Sequence, residues 1–180
     1  MLKKIAVIGP ESTGKSTLSE NLATYYDTVW VPEYAREYLL QHGINYKYED
    51  LLEIAKGQIR SEDEIAMLAK NDLLFVDTNM YVMKVWYEFV FGKCEQWITD
   101  RIGDRTYDLY LLCNTDLPWV KDDLREYPDL ETRQRLFGLY REIMENQTVP
   151  WVEINGDYEE RMRTAVKAVD DLRDNQKTLR

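Results

Sequence analysis

Two glycines, a lysine and a hydroxyl stand at fixed spacing near the amino terminus. Gly9-Pro10-Glu11-Ser12-Thr13-Gly14-Lys15-Ser16 meets every fixed position of the pattern G-x-x-x-x-G-K-[ST]. Its glycines let backbone N–H groups turn toward a polyphosphate, and its lysine reaches the outer phosphates as a compact cation. Chemistry of this kind needs the loop to end in a helix, whose positive dipole end adds to the same anion. ATP is therefore the expected cofactor, gripped by Gly9, Glu11, Ser12, Thr13, Gly14, Lys15, Ser16 and Thr17. Mg²⁺ accompanies it, with Ser16 offering its hydroxyl and Thr17 reaching a phosphate nearer the base.

A magnesium-bound triphosphate calls for a carboxylate, and Asp77 directly follows the apolar run Leu73-Leu74-Phe75-Val76. The carboxyl end of a buried strand is where open α/β sheets place their ligand crevice, so Asp77 is expected to hold the metal. A cap on the next helix would also explain an acid there. Glu33, in Val31-Pro32-Glu33-Tyr34-Ala35-Arg36-Glu37, opens into the same crevice and is placed to orient or deprotonate an acceptor hydroxyl. Arg36 lies one helical turn on, where it pairs with Glu33 or contacts phosphate. Asn155-Gly156 precedes Asp157 in a turn from which backbone groups reach an adenine edge, while Asp157 also reads as a helix cap.

Residues 116–129 carry Pro118, Pro128 and five acidic residues without a clean period, which predicts a loop acting as a lid. Arg125 within it is placed to swing over the triphosphate and neutralise transition-state charge. Trp119 is either the loop's apolar anchor or a stacking plate for an aromatic substrate.

Something must hold these residues in register. Ile5-Ala6-Val7-Ile8 is an apolar, β-branched run stopped by Gly9, as expected of a strand buried on both faces. Thr28 to Val31, Leu73 to Val76, Leu109 to Cys113 and Trp151 to Ile154 are further strand candidates. Helical spacing separates them, from Gly14 to Tyr26 and from Asp50 to Lys70, where Gly57 weakens the middle, and again from near Leu130. The stripe Tyr81, Val82, Val85, Trp86, Phe89 and Val90 has helical spacing and reads as core, with one or two of its aromatics facing the crevice. Strand and helix in alternation predict a doubly wound α/β fold, a mostly parallel five-stranded sheet with helices on both faces, in one domain over 1–180.

Composition narrows the classes. A net charge of −10 repels phosphate backbones and no basic patch offsets it, so no nucleic-acid partner is expected. Cys94, Cys113 and the single His42 form no zinc or disulfide spacing, which fits a reducing cytoplasm. No leader peptide is read in Met1-Leu2-Lys3-Lys4, and no apolar run is long enough to span a membrane.

The joint pattern Gly9 to Leu18, Val31 to Glu37, Phe75-Val76-Asp77-Thr78 and Tyr107 to Leu112, with Asp-x-Pro-Trp-x-x-Asp-x-x-Arg at 116–125, resembles the ribosylnicotinamide kinase domain of the NadR family over roughly residues 3 to 170. The resemblance implies transfer of the ATP γ-phosphate to the ribose 5′-hydroxyl of nicotinamide riboside, giving nicotinamide mononucleotide. It implies that Glu33, Asp77, Trp119 and Asp122 line the riboside pocket, with Arg125 as the lid arginine. Two departures stand out: the family's Asp-Thr-Asp is Asp77-Thr78-Asn79 here, and His42 supplies no H-x-G-H motif for the adenylyltransferase of longer members. Competing readings are a kinase for another nucleoside or small metabolite and a non-enzymatic nucleotide-binding regulator. A GTP switch is disfavoured because Asn114-Thr115-Asp116 lacks the lysine and spacing of N-K-x-D.

Overall fold

The computed structural model describes residues 1–177. Its strands are β1 (Lys3–Ile8), β2 (Val29–Val31), β3 (Leu73–Asp77), β4 (Leu109–Cys113) and β5 (Trp151–Ile154). They form one sheet in the order β2-β3-β1-β4-β5, with every neighbouring pair parallel. The helices are α1 (Lys15–Tyr25), α2 (Tyr34–His42), α3 (Tyr48–Ala66), α4 (Met80–Phe91), α5 (Gln96–Asp104), α6 (Leu130–Glu145) and α7 (Tyr158–Lys177). The doubly wound α/β fold expected from the alternation is the fold observed. Among the described residues, no helix is long and apolar enough to cross a membrane.

Alternation along β1 sets the two faces. Ile5 and Val7 pack with Leu18, Leu22, Ala165 and Val169 of α1 and α7, while Ala6 and Ile8 pack with Val82, Val85, Leu136 and Tyr140 of α4 and α6. Parallel strands buried on both faces need apolar side chains in both directions, which is why β1, β3 and β4 read as unbroken apolar runs.

Helix α3 starts two residues before its expected position and stops at Ala66 rather than near Lys70. Its start is fixed by Asp50, whose carboxylate accepts from the Lys47 N–H at 2.7 Å. Its end is fixed by the reversal into β3, where Asn71 and Asp72 take φ of 54° and 55°, a conformation these two residue types tolerate.

A third apolar cluster joins α2, α3, α4 and α5 through Ala35, Leu51, Ile54, Met83, Tyr87 and Ile98. Gly57 is what lets α3 dock there. A Cβ at this position would stand 2.0 Å from the Tyr34 ring, so a residue that weakens the helix lets Tyr34, the first residue of α2, lie against it. Gly57→Ala should therefore destabilise the protein by about 1–3 kcal/mol in urea unfolding, the cost of overpacking, although alanine is the better helix former by about 1 kcal/mol. A more stable variant would refute the packing account.

Candidate active site

Backbone geometry of the Gly9–Thr17 loop follows from three left-handed residues, Gly9 at φ 137°, Ser12 at 56° and Gly14 at 77°. At Gly9 only glycine fits, because a Cβ would lie 2.6 Å from the Cys113 carbonyl oxygen at the end of β4. Gly14 is the N-cap of α1, and that helix has neither a side-chain cap nor an acid in its first turn. Its amino end is thus left to an external anion. Thr13 is buried, and its hydroxyl donates to the Pro10 carbonyl at 2.8 Å, bracing the loop from inside. The Lys15 ammonium donates to the same carbonyl at 2.8 Å and lines the cleft with Ser16 and Thr17.

Asp77 is fully buried at the end of β3 and accepts from the Ser16 hydroxyl at 2.5 Å. Burial, reinforced by the nearby Glu33 carboxylate, raises its pKa from 3.8 to about 6, against the opposing pull of Lys15 and Ser16. A hydroxyl beside a carboxylate is a sparse donor set suited to Mg²⁺, which keeps waters and takes phosphate oxygens, so the residues present fit that ion. Asn79 caps α4 by accepting from the Tyr81 N–H at 3.1 Å, a duty an Asp would perform as well. The capping alternative raised for Asp77 belongs to Asn79.

Glu33 ends the segment after β2, lines the cleft, and makes no side-chain cap. Its position is set by a residue the sequence reading passed over. Gln58 of α3, 1% exposed, accepts from the Tyr34 N–H at 2.7 Å and donates to the carbonyls of Pro32 at 3.4 Å and Asp77 at 3.2 Å. One amide therefore grips both peptide groups flanking Glu33 and the strand end carrying Asp77. A polar residue inside the apolar stripe of α3 was the available signal.

The 116–129 loop is fastened over the phosphate loop, mainly through its backbone. Glu11 accepts from the N–H groups of Glu126 at 2.9 Å and Tyr127 at 2.6 Å, and Ser12 Oγ accepts from Val120 N–H at 3.1 Å. Trp119 Nε1 donates to Glu11 at 3.4 Å, and Arg36 pairs with Asp122 at 2.8 Å. Arg36 thus lines the cleft but is ion-paired to Asp122 rather than to Glu33. Of the four residues expected on the riboside pocket, Glu33 lines the cleft, whereas Asp77 is buried behind it and Trp119 and Asp122 attach the loop. Arg125 does line it, with Nη1 resting on the Val120 carbonyl.

Beneath the loop lies a cleft of about 220 Å³ lined by the phosphate loop, Glu33, Arg125, Trp86, Phe89 and Tyr127. Two aromatics of the α4 stripe, Trp86 and Phe89, thus face the cleft, as expected for one or two of them, together with Val82 and Val85. Trp86 Nε1 donates to the Tyr46 hydroxyl at 2.9 Å, and Tyr46 donates to Glu126 at 2.9 Å. Partial burial lifts the Glu126 pKa.

Asn155 and Gly156 lie outside this cleft. Asn155 accepts from the Asn114 amide at 2.7 Å, and the Gly156 N–H donates to Asp116 at 2.5 Å. Asp157 caps α7 as its alternative reading had it, accepting from the N–H groups of Glu159 and Glu160. Arg161, unremarked in the sequence, is 2% exposed and bonds the carbonyls of Thr13, Asn114 and Gly156 together with the Asp116 carboxylate.

A phosphate-gripping loop between the central strand and its helix, with an acid on the adjacent strand end, defines a P-loop nucleotide-binding domain. The chain belongs to the AAA domain family, whose model matches residues 4–161. It is 28% identical over 176 residues to the trifunctional NAD biosynthesis/regulator protein NadR of Escherichia coli (strain K12), and 27% identical to that of Salmonella typhimurium (strain LT2). Each match covers 95% of this chain and 43% of the relative, so the chain spans under half the length of these curated proteins. Among solved structures, NadR in complex with NR superposes at a TM-score of 0.77 with 25% identity, covering 95% of this chain and 51% of that one. NadR with NAD and AMP-PNP gives 0.74 and 26%, covering 95% and 49%. Thymidylate kinase from Ehrlichia chaffeensis, at 0.70 and 16% identity over 93% of this chain and 98% of that one, shares the fold. The NadR resemblance read from the sequence is found in both comparisons.

Two outcomes are expected. Gln58→Leu strands one N–H and two carbonyls and should lower stability by roughly 2–4 kcal/mol in urea; Gln58→Glu should not restore it, because a carboxylate would face two carbonyl oxygens. The raised pKa of Asp77 means the folded protein holds an extra proton between pH about 4 and 6, so metal-free stability should fall as pH rises through that window. In Asp77→Asn that component of the fall should vanish, as followed by urea midpoints in EDTA; identical profiles would refute the buried-carboxylate account.

Proposed function

We propose that this chain is an ATP-dependent kinase that phosphorylates the ribose 5′-hydroxyl of nicotinamide riboside, giving nicotinamide mononucleotide for NAD biosynthesis. The observation that carries the reading is the cleft itself, whose one lining brings together Lys15 and Ser16 of the phosphate loop, Glu33 and Arg125, and the aromatic rings of Trp86, Phe89 and Tyr127. A flat cationic ring suits aromatic faces beside a carboxylate, here Glu126. The structures of NadR with NR and with AMP-PNP support the same pairing of ligands.

In this mechanism Lys15 leaves the Pro10 carbonyl for the outer phosphates, and Ser16 and Asp77 hold Mg²⁺, which supplies charge neutralisation when bound. Glu33 orients the acceptor hydroxyl and takes its proton. Arg125 turns from the Val120 carbonyl toward the transferring group, where its charge counts most in the transition state. The 116–129 loop acts as a lid and keeps water from competing as acceptor. With Asn79 spent on the cap of α4, the base role falls to Glu33, since Asp77 is committed to the metal.

A panel of nicotinamide riboside, uridine, cytidine, adenosine and deoxynucleosides should show the highest kcat/KM for nicotinamide riboside. Trp86→Ala should raise KM for the riboside about 10- to 30-fold, the loss of a desolvated cation–π contact, with KM for ATP little changed. Arg125→Ala should lower kcat by on the order of 10³. Preference for another nucleoside would replace the substrate assignment, and no turnover with any acceptor, alongside tight ATP binding, would favour a nucleotide-binding regulator.

A further inference from the structure

Glu11 is an acid within a loop built to hold an anion, and a bare carboxylate beside the phosphates would repel them. Three N–H groups of the lid meet its charge. Its Oε2 accepts from Glu126 N–H at 2.9 Å, and its Oε1 accepts from Tyr127 N–H at 2.6 Å and Trp119 Nε1 at 3.4 Å. Glu11 itself lines the cleft together with Lys15 and Ser16.

Two of those lid residues also carry side chains of the cleft. Glu126 and Tyr127 line it, and the Tyr127 ring stands edge-on to Phe89 at 5.5 Å between centroids. The Tyr46 hydroxyl donates to the Glu126 carboxylate at 2.9 Å and accepts from Trp86 Nε1 at 2.9 Å. Residue 126 is therefore held by its backbone to the phosphate loop and by its side chain to the partner of a cleft aromatic. With the lid fastened, the Glu11 charge is met and Glu126 and Tyr127 complete the lining; with it unfastened, the carboxylate is bare and both side chains leave. A nucleotide favours the fastened state for the charge, and an acceptor favours it for the lining. Ligands that favour one state bind cooperatively, by the same factor in both directions.

Given the reading that the cleft takes a nucleotide and an acceptor together, on which this rests, we propose that Glu11 is the positioning residue that couples their binding, through the N–H groups of Glu126 and Tyr127. An acid in the phosphate loop thereby serves the acceptor: it weakens the grip on a nucleotide when the lid is away and rewards the closed state in which the acceptor site is whole.

The test measures, on the full chain, the Kd of nicotinamide riboside by calorimetry with and without saturating Mg²⁺ and AMP-PNP, and amide hydrogen exchange at Glu126 and Tyr127 with the nucleotide alone. Wild type should bind the riboside about tenfold tighter in the presence of nucleotide, as is usual for coupled sites, and the nucleotide alone should slow exchange at both amides. Glu11→Gln sets one acceptor oxygen and an N–H₂ group against the three donors. It should still bind AMP-PNP, while the coupling factor falls below about twofold and the slowing at both amides is lost. A wild-type factor near one, equal factors in wild type and Glu11→Gln, or slowing that survives in Glu11→Gln would each overturn the proposal. If the riboside binds neither form, the substrate assignment fails by itself, and the exchange measurement, which uses nucleotide alone, still decides on Glu11.

Discussion

An all-parallel sheet sends the carboxyl ends of its strands to one edge, where the ladder runs out and backbone groups must find other partners. Most of the functional geometry here is the solution to that constraint. Gln58 takes the peptide groups at the ends of β2 and β3, Arg161 takes carbonyls at the end of β4, in the phosphate loop and in the turn after β5, and the Thr78 N–H returns to the Val7 carbonyl. Two of these side chains also fix residues that face the cleft, Gln58 at Glu33 and Arg161 at Thr13. Satisfying the backbone and placing the site are one arrangement.

The same edge concentrates charge in a place water barely reaches. Asp77 is buried, with the Ser16 hydroxyl bonded to it and the Lys15 charge near it, and its raised pKa says that these neighbours do not fully offset desolvation. The empty site is therefore less favourable than a neutral one of the same shape would be. A cation held between Asp77 and Ser16 would offset that imbalance.

Much of this was legible in the residues. Phosphate-loop spacing and the apolar runs at 5–8, 73–76 and 109–113 announced the sheet, the crevice and Asp77, because fully buried parallel strands permit few other patterns. What stayed hidden were side chains whose partners lie far along the chain. Gln58 reaches residues 32, 34 and 77, and Arg161 reaches residue 13, separations that no local period records. Trp119 was visible as an aromatic in a polar loop, but whether it anchors or stacks depends on the position of Glu11 across the fold. Trp86 and Phe89 read mainly as core because a cleft wall and a core interior have the same helical spacing.

The fastening of the lid has a consequence for how such proteins diverge. Glu11 holds residues 126 and 127 by their N–H groups, which any amino acid except proline supplies. The side chains of Glu126 and Tyr127 line the cleft. Closure and recognition thus draw on different atoms of the same residues. Substitutions at 126 and 127 therefore change the lining of the cleft while the backbone hold on Glu11 persists, so under the proposed function acceptor preference and loop attachment vary independently.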